Sequence, residues 1–379
     1  MRIFENLNFD FLGKRKLFYY VSAAMFLAGL INILLRGLNF GIDFKGGSEI
    51  VLQFEKTIQI GEMRGLVEGL GIGNVEVKTF GGETGALVRT ELQSIPAEMY
   101  PQVIQDLNNK INTIANGLSF NVVDSSRTSV TYSFPNADTT SYILEQLTLA
   151  GFNVSPVADD PASTQMIASF GIADWIKENL REKMQDNPFQ ILREDRVGPK
   201  IGDELKRDAL IAIFFSLIAI LIYLGFRFKF VFAVGAVAAL FHDVLITVGL
   251  YSVLYGLIPG LNLEIDLTVV AAFLTLVGYS INDTVVVFDR VRENMKIHKT
   301  MDLQEVINKS INQTMSRTII TGVTTLITLF VLLLIGGDVL RAFAFTLFFG
   351  IIIGTYSSIF VASAFVLEYA TKRKKKVQF

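Results

Sequence analysis

The sequence predicts an α-helical polytopic membrane protein with six transmembrane helices, interrupted after the first by an exported α+β domain. Three observations predict it. Of the 379 residues, 51% are hydrophobic and only 18% charged, with 31 Phe, which is far from the balance of a soluble domain. Six apolar stretches reach the roughly 20 residues that a helix needs to cross a hydrocarbon core about 30 Å thick. The long gap between the first and second stretches alternates strand-like and helix-like patterns between Gly and Asn turns.

The apolar stretches run over about 17 to 38, 208 to 226, 231 to 256, 265 to 288, 318 to 335 and 340 to 367. The first follows Lys14, Arg15 and Lys16, is too long for a signal-peptide core and has no small-x-small cleavage pattern after it. It reads as an uncleaved anchor. Lys and Arg gather in the tail 1–16, at Arg227 and Lys229, between Arg290 and Arg317, and in the KRKKK run within the tail 369–379, whereas 257–264 has none. The positive-inside rule therefore places both termini in the cytoplasm and residues 39–207 outside, with helices two to six in 208–368.

Residues 39–207 hold 23 Asp and Glu against 15 Lys and Arg, so the near-neutral total hides an acidic exported domain beside a basic cytoplasmic face. Nucleic acid is not an expected partner, and membrane lipid is. With no cysteine, disulfides, thiolate metal sites and cysteine nucleophiles are excluded. No cofactor or metal is expected.

Within the exported segment EIVLQFE reads as a strand, IGEMRGLVEGL as a helix, and NVEVKTF and ALVRTEL as strands. A helix from about Ala97 to Asn116 and the strand SFNVV complete the set. The order then recurs in SVTYSF, TTSYILEQLTLAG, NVSPVA, TQMIASF, IADWIKENLREKM and FQILRE. Each half reads strand, helix, strand, strand, helix, strand, so two tandem ferredoxin-like modules are expected. Gly46 and Gly47 permit a tight turn where the chain leaves the membrane. FKGGS lacks the spacing of a phosphate loop.

Ionisable residues inside spanning helices cost several kcal/mol unless paired, neutralised or hydrated, and so mark function. The candidates are His242 and Asp243 in helix three, Asp283 in helix four and Arg317 at the start of helix five. At 1.5 Å per residue, Asp283 and Arg317 each lie about 18 residues from the outer end of their helix, so they reach similar depth and can pair. An arginine neighbour favours the charged carboxylate and burial the neutral acid, so the balance moves when helices move. A proton-driven switch needs that property.

Arg317, Thr321, Thr324, Thr325 and Thr328 share one side of helix five, and Thr275, Tyr279, Asn282 and Asp283 one side of helix four. Two facing polar stripes are expected, able to hold a file of water, with Gly278 allowing close approach or a kink. Asp289, Arg290, Arg292 and Glu293 read as the cytoplasmic border. Enzymatic readings fail: Ser280 lacks the glycines of a strained nucleophile turn, and Asp243 and Asp283 sit about 10 Å apart in depth, too far to share a proton. No catalytic residue is assigned and the chain is not expected to be an enzyme.

Four stretches, VGYSINDTVVVFDRVREN, FGIDFKGGSEI, FHDVLITVGLYS and NQTMSRTIITGVTTL, together resemble the SecF family, the smaller membrane subunits of bacterial SecD-SecF complexes in the resistance-nodulation-division superfamily. The resemblance implies an inner-membrane protein in which proton flow drives movement of the exported domain. It implies a SecD-type six-helix partner, a place beside the SecYEG channel, and preproteins as substrates helped out on the outer side. It assigns proton transport to Asp283 and Arg317, with Asp243 the acidic member of a His-Asp pair. His242, Asn282, Thr321, Thr324 and Thr328 stand as supporting polar groups. Against this pattern, the exported segment is longer than the family implies, and residues 124–196 carry no recognised motif. A half-transporter of the same superfamily, exporting small apolar molecules or lipids, remains the alternative.

Overall fold

A computed structural model describes residues 8–115, 117–126, 128–150, 152–157, 162–258 and 261–373. Residues 1–7 of the expected cytoplasmic segment and 374–379 of the basic tail lie outside the described residues. In chain order the elements begin with a 3-10 turn (Leu12–Lys14) running into helix α1 (Arg15–Arg36), the short helix α2 (Ile42–Lys45), strand β1 (Gly47–Phe54), α3 (Ile60–Glu68), β2 (Val75–Thr79) and β3 (Gly85–Thr90). There follow α4 (Tyr100–Ile114), β4 (Asn121–Ser125), β5 (Ser129–Ser133), α5 (Ala137–Leu149), β6 (Asn153–Pro156), β7 (Gln165–Ser169), α6 (Ile172–Lys183) and β8 (Phe189–Val197). The remainder is helical: α7 (Pro199–Arg227), α8 (Phe230–Leu254), α9 (Leu267–Ile297), α10 (Leu303–Ile335), α11 (Gly337–Ser357), a π-helical turn (Ser358–Ala362) and α12 (Ser363–Arg373). Two compact units result, Lys45–Gly202 and Met1–Phe44 with Asp203–Phe379.

The first unit contains two four-stranded antiparallel sheets, in the orders β2-β3-β1-β8 and β4-β5-β7-β6. Period-two burial builds them: Val130 and Tyr132 of β5 and Met166 and Ala168 of β7 point inward while their neighbours are half-exposed. The helices bury one face each, Val103, Leu107 and Ile111 on α4 and Ile172, Ile176 and Leu180 on α6, at i, i+4 and i+8. All of these join one continuous apolar core.

Both sheets have the ferredoxin-like strand order, but the modules exchange their last helix and strand. The sequence order assigns α4 and β4 to the first module, whereas β4 pairs with β5 and α4 packs on α5. In return β8 pairs with β1, and α6 packs on α3 and β1. Pairing β8 antiparallel to β1 sets Gly47 opposite Val197, so the chain enters and leaves the unit at neighbouring points. An insertion between two membrane helices needs its ends together, and the exchanged closure supplies that where a strictly tandem one does not.

Gly46 and Gly47 have φ of 73° and 112°, and a Cβ on Gly47 would lie 2.2 Å from the Thr90 carbonyl oxygen. The turn therefore demands glycine for conformation and for space. On the face of the first sheet away from the core, Glu76, Arg89, Glu49 and Asp195 stand in one cross-strand row. Glu49 is buried, receives both Arg89 Nε (2.8 Å) and Nη2, and is also bonded by Arg193. This ion-pair row fastens the exchanged strand to the sheet.

Among the described residues six helices are long and apolar enough to cross a membrane: Leu12–Arg36, Pro199–Arg227, Phe230–Leu254, Leu267–Ile297, Leu303–Ile335 and Leu340–Lys372. α1 crosses α8 at Gly29 and Gly249, where a Cβ on Gly29 would come within 2.7 Å of the opposing Cα. Gly278 does not serve this purpose, since nothing lies within 4 Å of its Cβ position and α9 runs on through it. The charged run at Asp289 to Glu293 does not end α9 either. The helix continues to Ile297 because Asn294, buried, donates to Ser310 Oγ and Gln313 Oε1 of α10, both at 2.9 Å. The connection into α9 is pinned as well: Gly41 N–H donates to the Ile265 carbonyl, Asp43 accepts from Leu267 N–H, and Asp266 caps Val269.

Candidate functional site

Two polar centres lie inside the helical unit. Asp283, midway along α9, is 6% exposed. Thr318 of α10 donates to its Oδ1 over 3.5 Å, and Thr355 of α11 lies close by. Arg317 is one residue before Thr318, hence turned about 100° around α10. It is exposed, and its charge acts on Asp283 without reaching ion-pair distance. The direct pair expected from depth is not closed in this conformation; hydroxyls solvate the carboxylate instead. Asn282, next to Asp283, is turned outward and exposed.

The expected stripes meet at one point. Tyr279 Oη donates to the Thr321 carbonyl at 3.0 Å and lies 3.1 Å from Thr325 Oγ1. Thr321, Thr324 and Thr328 otherwise occupy an exposed face of α10, and each hydroxyl donates back to the carbonyl four residues earlier. They do not enclose a water file within this chain. The rotation has a simple cause: α10 buries Thr314, Thr318, Gly322 and Leu329, which takes the remaining threonines off the packed face.

The second centre surrounds Asp243, 1% exposed on α8. His242 Nδ1 lies 3.0 Å from its Oδ1, while Ser280 of α9 and Ser357 of α11 donate to Oδ2 at 2.7 and 2.8 Å. On the other side of the imidazole, Nε2 is 2.9 Å from Ser22 Oγ of α1. Ser280 thus bonds Asp243 rather than His242, so the two do not form a Ser-His pair. Its close approach depends on Gly354, whose Cβ would stand 2.9 Å from Ser280 Oγ.

The stretch Gly354 to Ser358 reaches both centres: Thr355 lies beside Asp283, Tyr356 bonds Ser22, Ser357 bonds Asp243, and Ser358 bonds Thr284 at 2.8 Å. The π turn follows at once, a geometry that recurs at functional positions. None of these residues, nor Ser22 or Thr318, was singled out by charge-based reading. The signal was present, since GTYSS is a run of small and hydroxyl residues inside an otherwise apolar helix.

The fold and these centres define a class: a multi-pass membrane protein whose six-helix unit buries two hydroxyl-solvated carboxylates and carries an α+β domain between its first and second membrane helices. The chain matches the family described as "Protein export membrane protein SecD/SecF, C-terminal" over residues 176–372 and the "SecD/SecF GG Motif" over residues 31–58. A protein translocase subunit SecF from Rhodothermus marinus is 38% identical over 97% of this chain and 95% of its own length. One from Calditerrivibrio nitroreducens is 36% identical, over 97% and 96%. The chain belongs to the SecF family of protein translocase subunits.

Among solved structures, SecDF of Thermus thermophilus, described as translocon-associated, superposes with a TM-score of 0.63 at 30% identity, covering 97% of this chain. A super-membrane-facing form of SecDF gives 0.56 at 30% identity. This chain spans 39% of the former and 40% of the latter. The SecF relatives align along nearly their whole length. The alignments take in 97% of this chain, the exported segment with residues 124–196 included, so that segment is shared with these relatives.

Proposed function

We propose that this chain is a proton-motive-force-driven accessory subunit of the Sec protein translocase, assisting preprotein movement and release on the outer side of a bacterial inner membrane. The observation that carries the reading is Asp283, buried among hydroxyls on α9 and within the electrostatic reach of an exposed Arg317. A carboxylate so placed can hold a proton in one state and face a cation in another. In the mechanism, protonation of Asp283 frees it from Arg317, and loss of the proton draws the two together, shifting α9 and α10. The exported domain, joined covalently through α1 and α7, moves in response while holding an emerging chain.

The exposed polar face of α10, with Arg317, Thr321, Thr324 and Thr328, is poorly suited to lipid. It fits a second six-helix bundle. The SecDF neighbours join SecD and SecF in one chain by their names, which supports a SecD-type six-helix partner working beside the SecYEG channel. Both termini then lie in the cytoplasm and residues 39–207 outside.

The test is Asp283→Asn in the chain assembled with its partner. Assembly should persist while export loses its dependence on the proton-motive force. Export that stays force-dependent in this variant overturns the reading. If lipid or drug sensitivity appears with normal preprotein export, the half-transporter alternative takes its place.

A further inference from the structure

Hydrogen-bond accounting around His242 assigns a proton that the proposed function does not use. Four bonds run in line: Asp243 Oδ1 to His242 Nδ1 (3.0 Å), His242 Nε2 to Ser22 Oγ (2.9 Å), Ser22 Oγ to Tyr356 Oη (2.8 Å), and Tyr356 Oη to the Phe18 carbonyl (2.7 Å). Each needs one hydrogen of its own at these lengths. The Phe18 carbonyl and an ionised Asp243 only accept, while a neutral imidazole, Ser22 and Tyr356 each supply one hydrogen. That makes three hydrogens for four bonds. Ser280 and Ser357 cannot make up the difference, because both already donate to the other carboxylate oxygen of Asp243.

We propose that the His242 and Asp243 pair is a second proton-binding site, and that its bound proton ties α1 to α8 and α11. One proton taken from solution completes the row in either of two ways. On His242, the imidazolium donates from Nδ1 to Asp243 and from Nε2 to Ser22. On Asp243, the acid donates to Nδ1 and the neutral ring donates from Nε2. In both, Nε2 carries hydrogen, Ser22 donates to Tyr356, and Tyr356 donates to Phe18.

Without that proton, the ring's single hydrogen goes to the buried carboxylate and Nε2 is bare. Ser22 must then turn its hydrogen to Nε2, and its bond to Tyr356 is lost. The ionisable groups facing the pair are Tyr356 of α11, whose ring lies 6.0 Å from that of His242, and, one turn along α9 from Ser280, Asp283 with Arg317 of α10 beyond it. α1 presents Ser22 and the Phe18 carbonyl, neither of which titrates. The count involves no property of Asp283, so it stands or falls apart from the proposed driving proton.

The full-length chain, labelled with ring-15N histidine in lipid nanodiscs, tests this by nuclear magnetic resonance. There are two histidines, and His298→Gln assigns the signal of His242. Nε2 of His242 should be protonated near neutral pH and lose its hydrogen as the pH is raised. Asp243→Asn, whose amide can supply the missing hydrogen, should hold Nε2 protonated throughout. An Nε2 that is bare near neutral pH, or one protonated without change over the folded range of the unsubstituted chain, overturns the proposal.

Discussion

Glu49→Ala probes the exchanged closure of the exported unit. Glu49 has a side chain 1% exposed and stands between Arg89, 6% exposed, and Arg193, 37% exposed. Removing one member of a buried pair typically costs about 3–5 kcal/mol, because the partner keeps its charge and loses its solvation. Two features place this case at the low end. Arg89 retains Glu76 at 3.3 Å, and Arg193 retains Asp195 at 2.6 Å and reaches water. A cost of about 3 kcal/mol, at roughly 2–4 °C per kcal/mol for a unit of this size, lowers the unfolding midpoint by about 6–12 °C. Hydrogen exchange of β1 and β8 peptides in the full-length chain, followed over temperature, reads that shift without interference from the membrane helices. Glu49→Leu with Arg89→Leu should recover much of the loss, since no orphaned buried cation remains. A shift under about 2 °C for Glu49→Ala, or β8 protection unchanged, refutes the claim that this row fastens the exchanged strand.

Three further outcomes follow from the same geometry. Gly29→Leu should destabilise the helical unit by at least the ~1–3 kcal/mol of an overpacked contact, seen as an earlier thermal transition in detergent, because its Cβ meets the Gly249 backbone. Gly278→Ala, with open space at its Cβ, should instead leave that transition unchanged or raise it. In the exported unit Asp106 shares a groove of about 570 Å³ with Glu178 and Glu182, and partial desolvation by the groove walls, then Glu182 and Glu178, raise its carboxyl above the ordinary aspartate range. A raised folded value favours the fold below the unfolded value and loses that advantage as pH rises through the folded one. Asp106→Asn should therefore gain stability over the unsubstituted chain toward neutral pH, with the gap closing in acid, as measured by urea unfolding at a series of pH values.

Much of the architecture was legible because the signals are local. Apolar runs of the right length mark spans, period-two burial marks β5 and β7, and i, i+4, i+8 triplets mark α4 and α6. The exchange of α4-β4 and α6-β8 was not legible, since either closure satisfies the same element order and only long-range pairing distinguishes them. At the site, charge inside an apolar run pointed to Asp243 and Asp283, which are both buried. Their hydroxyl partners escaped because Ser and Thr are ordinary in membrane helices and become informative only when three helices bring them to one atom. Depth put Arg317 level with Asp283, but depth does not fix rotation about the helix axis, and that rotation decides whether the two meet.

The central claim is that Asp283 couples proton movement to export through this subunit. Pulse-chase measurement of secretory precursors in cells whose sole copy carries Asp283→Asn tests it most directly, with membrane levels of the chain and its partner checked in parallel. Precursors accumulating as in a deletion strain, with normal subunit levels, is the predicted result. Precursor processing at the rate of the unsubstituted strain contradicts the account.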